Sequence, residues 1–165
     1  MKTGKTVKVL LTAATAAGML AGCGSKTDTD TFRFASELDI QGMDSTVVDD
    51  GMSFNAVHAI TDGLTAVNEK GKTAPAIAKS WDVSDDGKTY TFHLRDAKWS
   101  NGDKVTANDF VYSWRKIIKN AGNYAYMLGS EGASVKNADA LMEVGTNATD
   151  EQMATLGVTA KDDKT

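Results

Sequence analysis

The sequence predicts an α/β chain whose own helices and strands follow in α+β fashion, and two stretches carry most of that prediction. At 79–95, KSWDVSDDGKTYTFHLR, apolar and polar residues alternate on either side of an Asp-Gly turn. At 107–119, ANDFVYSWRKIIK, the residues Phe110, Val111, Trp114, Ile117 and Ile118 fall at i, i+1, i+4, i+7 and i+8. Alternation puts every second side chain on one face of a strand, whereas the wider spacing makes one stripe along a helix. The bulk agrees: 165 residues, 41% apolar and 24% charged, are values of a chain that buries a core rather than of a disordered or fibrous one.

The N-terminus belongs to a different class. Residues 1–8, MKTGKTVK, are positive; residues 9–21, VLLTAATAAGMLA, form an uncharged run of 13. A membrane-spanning helix needs about 20 residues, so a positive start followed by a short apolar core reads as a secretory signal over 1–22. The run ends at Leu20-Ala21-Gly22-Cys23, which resembles the bacterial lipobox and holds the one cysteine of the chain. The resemblance implies cleavage before Cys23 and a diacylglycerol on its thiol; stable anchoring takes two or more acyl chains. Residues 23–30 are short, polar and free of aromatics, and read as a flexible tether. The folded part is expected over 31–165.

Thr31 to Ala35 alternates, with Phe32 and Phe34 on one face, and predicts a short strand. Leu38 to Asp50 has mixed polarity and Gly42, and reads as a loop. Phe54, Val57, Ile60 and Leu64 recur near helical spacing, so a helix is expected at about 53–62, with Ser53 or Asp50 as its cap and Gly63 near its end. Asn68 to Lys72 reads as a turn between short extended pieces. The hairpin at 79–95 presents Trp81 and Val83, then Tyr90, Phe92 and Leu94, as an aromatic inner face, and Asp86-Gly87 supplies the backbone freedom its turn requires. Asn101-Gly102 makes a second turn. Thr106 is placed to cap the helix at 107–119, with Asp109 in its first turn and Lys116 and Lys119 in its last. Asn137 is a candidate cap for a short helix through Glu143, and Thr149-Asp-Glu-Gln152 fits a capping box. Gly157 to Ala160 reads as the start of a strand, with Asp162-Asp163 as a turn after it; a chain that ends there is expected to be a fragment.

Charge and motifs exclude several function classes. Net charge is −4; subtracting the three lysines that precede Cys23 leaves −7 for the remainder. An acidic chain without a basic patch is a poor nucleic-acid binder. A single cysteine rules out an internal disulfide and any multi-cysteine metal site. Neither H-E-x-x-H nor C-x-x-C occurs, and His58 and His93 fall on different elements, so no metal site is expected. G-x-S-x-G and the P-loop are absent. The adjacent acids Asp49-Asp50, Asp85-Asp86 and Asp162-Asp163 read as turn formers and solvated charge. Trp81, Trp99 and Trp114 read as core rather than as a sugar-stacking platform. No catalytic constellation emerges, no cofactor is implied, and an enzyme is not expected.

At 78–114 the residues AKSWDVSDDGKTYTFHLRDAKWSNGDKVTANDFVYSW resemble a signature of the extracellular oligopeptide-binding proteins, the substrate-binding subunits of peptide ABC importers. The pattern runs S-W, D-G-x-T-Y-T-F-x-L-R, A-K-W-S-N-G, V-T-A and D-F-V-Y-S-W. The flanking F-x-F-A-S, Asp62-Gly63-Leu64 and Leu156-Gly157-Val158 fit as well, so the resemblance extends over about 31–165. Hydrophobic burial explains the signature residues: each large side chain removed from water contributes roughly 1.5–3 kcal/mol, and Trp81, Tyr90, Phe92, Trp99, Phe110 and Trp114 are expected to form an aromatic core. They mark the scaffold rather than the ligand site.

The resemblance implies a two-lobed periplasmic-binding-protein-like fold closing over an extended peptide, of which this chain would hold an incomplete first lobe. It implies an oligopeptide ligand held through main-chain hydrogen bonds, permease subunits in the membrane as partners, and attachment to the extracellular face of the cell membrane through the Cys23 lipid, as in Gram-positive bacteria. It places the loop acid Asp49, or Asp50 in the alternative register, near the peptide. Tyr124, or Tyr126 next to it, would line the same site. Relatives with this signature also take dipeptides, nickel complexes, haem or sugars. A site completed by a second lobe leaves this chain with weak or no affinity of its own, so a transport-inactive surface lipoprotein, acting in adhesion or not at all, is the alternative.

Overall fold

The computed structural model describes residues 35–165. The signal over 1–22, Cys23, the tether over 23–30 and most of the strand expected at Thr31–Ala35 lie outside the described residues. Residues 38–50 form a loop with one turn at Asp44, whose carbonyl accepts from the amides of Val47 and Val48 at 3.1 Å each.

Helix α1 spans Gly51–Ile60, two residues earlier than the apolar spacing predicts. The shift follows from the choice of cap. Asp50, extended at φ −104°, takes the amide of Ser53 on its carboxylate at 2.8 Å, and a cap at 50 starts the helix at 51. Strands β1 (Thr65–Val67) and β2 (Thr73–Pro75) pair antiparallel around the turn foreseen at Asn68–Lys72. Asn68 Oδ1 accepts from the amides of both Lys70 and Lys72 at 3.0 Å, which closes that turn.

Strands β3 (Ala78–Val83) and β4 (Tyr90–Leu94) form the expected hairpin, with Trp81 opposite Phe92 and Val83 opposite Tyr90. Gly87 has φ +69°, a conformation that an L side chain adopts only at a cost. The Ser84 hydroxyl bonds Asp86 at 2.6 Å, and the Lys88 amide adds a bond at 3.1 Å. Together they hold the Asp86 carboxyl below its usual range. The Asn101-Gly102 turn joins the bridge between Lys98 and Lys104.

Helix α2 spans Ala107–Lys119, as its spacing predicts. Asp109 reaches back so that its carboxylate accepts from the Thr106 amide at 2.7 Å. The helix separates two apolar clusters. Ala107 and Phe110 pack toward Ile77, Ala78, Leu94 and Val105. One to two turns further on, Trp114, Ile117 and Ile118 pack toward Leu141, Met153 and Leu156. That second cluster is closed by a 3₁₀ turn at Ala125–Leu128 and by helices α3 (Ala138–Val144) and α4 (Asp150–Met153). The capping box at Thr149 forms, with Thr149 Oγ1 accepting from the Gln152 amide and Gln152 Oε1 from the Thr149 amide. Asn137 precedes α3 but does not cap it: its Nδ2 donates to the Thr155 carbonyl at 2.9 Å.

Two further expectations fail. Gly157 to Ala160 forms no strand, because the Gly157 amide donates to the Lys136 carbonyl at 2.8 Å and the segment lies beside a loop rather than a ladder. The residues after it do reach the hairpin, where the Lys164 carbonyl accepts from the Leu94 amide at 2.8 Å. The aromatic core also fails as a core. Trp81, Phe92, Phe110 and Trp114 are half-buried, while Tyr90 and Trp99 stay 57% and 49% exposed. A two-stranded ribbon buries one face only where another layer covers it, and here the buried centres of both apolar clusters are non-aromatic, with Phe92, Phe110 and Trp114 packed at their edges.

Candidate functional site

Three pieces of chain meet at one end of α2: the loop 44–50, the N-terminus of α1, and the turn 120–128. Each junction has a physical cause. Lys116, one turn from the end of α2, puts Nζ 2.5 Å from Asp44 Oδ2. The Asp44 Oδ1 accepts from the Thr46 amide at 3.0 Å and from its hydroxyl at 2.7 Å. The ammonium of Lys116 first, then these Thr46 donors, bring the Asp44 carboxyl down from 3.8 to about 2.

After α2 the chain turns sharply at Ala121, φ +44°, and Gly122 then passes against the loop. A Cβ on Gly122 would lie 2.4 Å from the Thr46 carbonyl oxygen. Glycine is therefore what lets the two backbones touch. The next residue, Asn123, donates from Nδ2 to Asp49 Oδ2 at 2.8 Å.

The two adjacent acids have been given different work. Asp50 turns inward as the cap of α1, and its Oδ2 is hidden from solvent with no hydrogen-bond partner among the described residues. The Ser53 side chain, then its amide, hold the Asp50 carboxyl below the ordinary range. Asp49 is exposed, and among the described residues its side chain contacts Asn123. Ser53 itself is fully buried, and its hydroxyl accepts from the amides of Gln41 at 2.9 Å and Gly42 at 3.2 Å, so the loop is tied to α1 as well as to α2.

Tyr124 is half-buried, its ring edge-on to Phe54 of α1 at 4.9 Å between centroids and 88° between planes. Such T-shaped pairs are favourable because the positive ring edge meets the negative face. Tyr126 is 46% exposed and tilted toward Tyr124 at 6.3 Å. Asp49 and Tyr124 are thus joined through Asn123 and Phe54, and Tyr126 projects beside them. Of these partners, Asn123, Phe54, Lys116 and Asp44 carry no local sequence signal for a site. Asn123 follows a helix end and Lys116 reads as a cation in a last turn.

Phe54 also lines an open groove of about 1500 Å³ that runs between α1, the hairpin and α2. Its walls are mainly apolar, with Val57, Trp81, Phe92, Phe110 and Trp114 among them, and Asp49, Asp50, Tyr124 and Tyr126 do not line it. Its Asp62 and Arg95 pair with each other at 3.2 Å. His58 is exposed, and His93 pairs with Asp82 at 2.7 Å on the hairpin. Among the described residues no cluster of three or more His, Cys, Asp or Glu is placed to hold a metal ion. No helix among them is long and apolar enough to cross a membrane.

Known proteins share both the sequence and the fold. The family described as "Bacterial extracellular solute-binding proteins, family 5 Middle" matches residues 72–165. A dipeptide-binding protein of Lactococcus lactis is 40% identical over 167 residues, covering 99% of this chain and 29% of that protein. A periplasmic oligopeptide-binding protein, OppA, of Haemophilus influenzae is 41% identical over 112 residues, covering 67% of this chain and 20% of its own length. The substrate-binding domain of an oligopeptide ABC transporter from Bacillus anthracis superposes with a TM-score of 0.69 at 36% identity, over 79% of this chain and 24% of that structure. Listeria monocytogenes OppA bound to peptide superposes at 0.63 with 38% identity, over 74% of this chain and 23% of its own. The chain thus spans less than a third of the length of each relative, as a mixed helix-and-sheet part of a two-lobed fold.

Proposed function

This chain belongs to the bacterial extracellular solute-binding proteins of family 5, and from that premise we propose that it is part of the peptide-capturing subunit of an ABC importer. The observation that carries this reading is the continuous match over 72–165, through the hairpin, α2 and the turn that bears Tyr124. The Lactococcus lactis and Haemophilus influenzae relatives are named for peptide binding, and one of the solved relatives holds a peptide.

In the proposed site Asp49 and Tyr124 face the peptide, with Tyr126 beside them. Asp50 is the less suitable acid because capping α1 already occupies it. An exposed carboxylate accepts main-chain N–H groups of an extended peptide, and a tyrosine offers both a flat apolar face and a hydroxyl. Recognition through the peptide main chain would leave selectivity for side chains low.

Capture at the cell surface needs an anchor. The reading assigns it to Cys23, acylated after removal of residues 1–22, and it delivers peptide to permease subunits in the membrane.

Calorimetry on the complete binding protein that carries this sequence, with peptides of two to eight residues, tests the ligand. Heat with at least one length class is expected; no heat with any of them rejects the reading. The dipeptide arm matters because the Lactococcus lactis relative is named for dipeptides. Mass spectrometry of the membrane fraction tests the anchor: an acylated N-terminal Cys23 is expected, and an unmodified thiol overturns it.

A further inference from the structure

We propose that Asn123 is a positioning residue for ligand capture, holding the Asp49 carboxylate in the orientation in which it meets a peptide main chain; this rests on the peptide-site reading of Asp49. Asp49 sits at the end of a loop, and an exposed carboxylate there rotates freely unless something restrains it. Among the described residues its side chain has one polar contact, the 2.8 Å bond from Asn123 Nδ2. That bond uses one Asp49 oxygen and leaves the other open to a ligand N–H.

The donor is itself held. Gly122, immediately before Asn123, packs against the Thr46 carbonyl so closely that no Cβ fits. Ala125, two residues after it, is 2% exposed in the apolar cluster beneath α2. Lys116 pins the other end of the loop through Asp44. The loop and the turn are therefore held against each other, and Asn123 restrains the rotation of the Asp49 side chain.

The test is a double-mutant cycle of Asn123→Ala and Asp49→Asn in the complete binding protein, read by the Kd of a peptide that the wild type binds. Asn123→Ala is expected to weaken binding by about threefold to tenfold, the range for loss of one ordinary intramolecular hydrogen bond. Because Asn123 acts through Asp49, the double variant is expected to bind no worse than Asp49→Asn alone. A merely structural role would instead give additive losses and a lowered Tm of the unliganded protein, and either result overturns the inference. Unchanged affinity in Asn123→Ala overturns it too while leaving Asp49 as a ligand contact if Asp49→Asn still binds weakly. Unchanged affinity in Asp49→Asn overturns both the contact and its positioning residue.

Discussion

Lys116 Nζ and Asp44 Oδ2 stand 2.5 Å apart although 72 positions separate them in the chain. The pair closes the loop before α1 onto the last turn of α2. It also makes that closure sensitive to acid. The Asp44 carboxyl titrates at about 2 in the folded chain against 3.8 ordinarily, with Lys116 as the main cause. A carboxyl with a lowered pKa binds fewer protons folded than unfolded between those values. Its contribution is therefore complete above about pH 4 and lost as pH falls through about 2. The Asp44 side chain is 43% exposed, and solvent screening limits the contribution to about 1 kcal/mol. Urea unfolding is expected to show Asp44→Asn less stable than wild type by no more than that near neutrality, with the difference gone at about pH 2.

Gly122 and Gly51 should answer the same substitution with opposite signs. A Cβ at Gly122 meets a backbone oxygen at 2.4 Å, whereas one at Gly51, the first residue of α1, meets nothing within 4 Å. Gly122→Ala is expected to destabilise by about 1–3 kcal/mol, because the loop or the turn must move. Gly51→Ala is expected to stabilise by up to about 1 kcal/mol, through helix propensity and a less flexible unfolded chain. Thermal melts of the two variants against wild type read both signs.

Ser53 is the most deeply placed polar side chain of the site. Replacing it by Ala strands the amides of Gln41 and Gly42, which its hydroxyl now receives. The cost is expected to be about 1–3 kcal/mol, the penalty for partly buried donors left unpaired. Hydrogen exchange should locate the loss, with those two amides exchanging faster and those inside α2 unchanged.

The neighbouring acids offer a separation of stability from capture. Asp50→Ala removes the cap of α1 and is expected to lower Tm. Asp49→Ala removes an exposed side chain with a single contact, and is expected to leave Tm near wild type while weakening peptide binding. A lowered Tm in Asp49→Ala alone would reverse the assignment of the two roles.

Local pattern carried much of this architecture. The bounds of α2, the Asp86-Gly87 turn, the capping box at Thr149 and the pairing of Trp81 with Phe92 all follow from spacings of a few residues. The readings that failed depended on neighbours the pattern cannot see. Gly157 was expected in a strand, but a strand needs a partner edge, and Lys136 took its amide instead. Tyr90 is expected inside, but alternation says only which face a side chain takes, and packing covers that face at Leu94 and partly at Phe92 while Tyr90 stays exposed.

The candidate site divides along the same line. Asp49, Asp50, Tyr124 and Tyr126 enter as candidates from the sequence through its resemblance to a family, and remain part of the proposed site. Which acid is free was not legible: two adjacent carboxylates look alike until one of them caps a helix. Asn123 and Lys116 were invisible as site residues, since their partners lie 74 and 72 positions away. Spacing along the chain governs whether a segment coils or extends, because backbone geometry repeats over a few residues. Hydrogen bonds and ion pairs act over about 3 Å of space regardless of chain distance, and only the folded chain brings those atoms within reach.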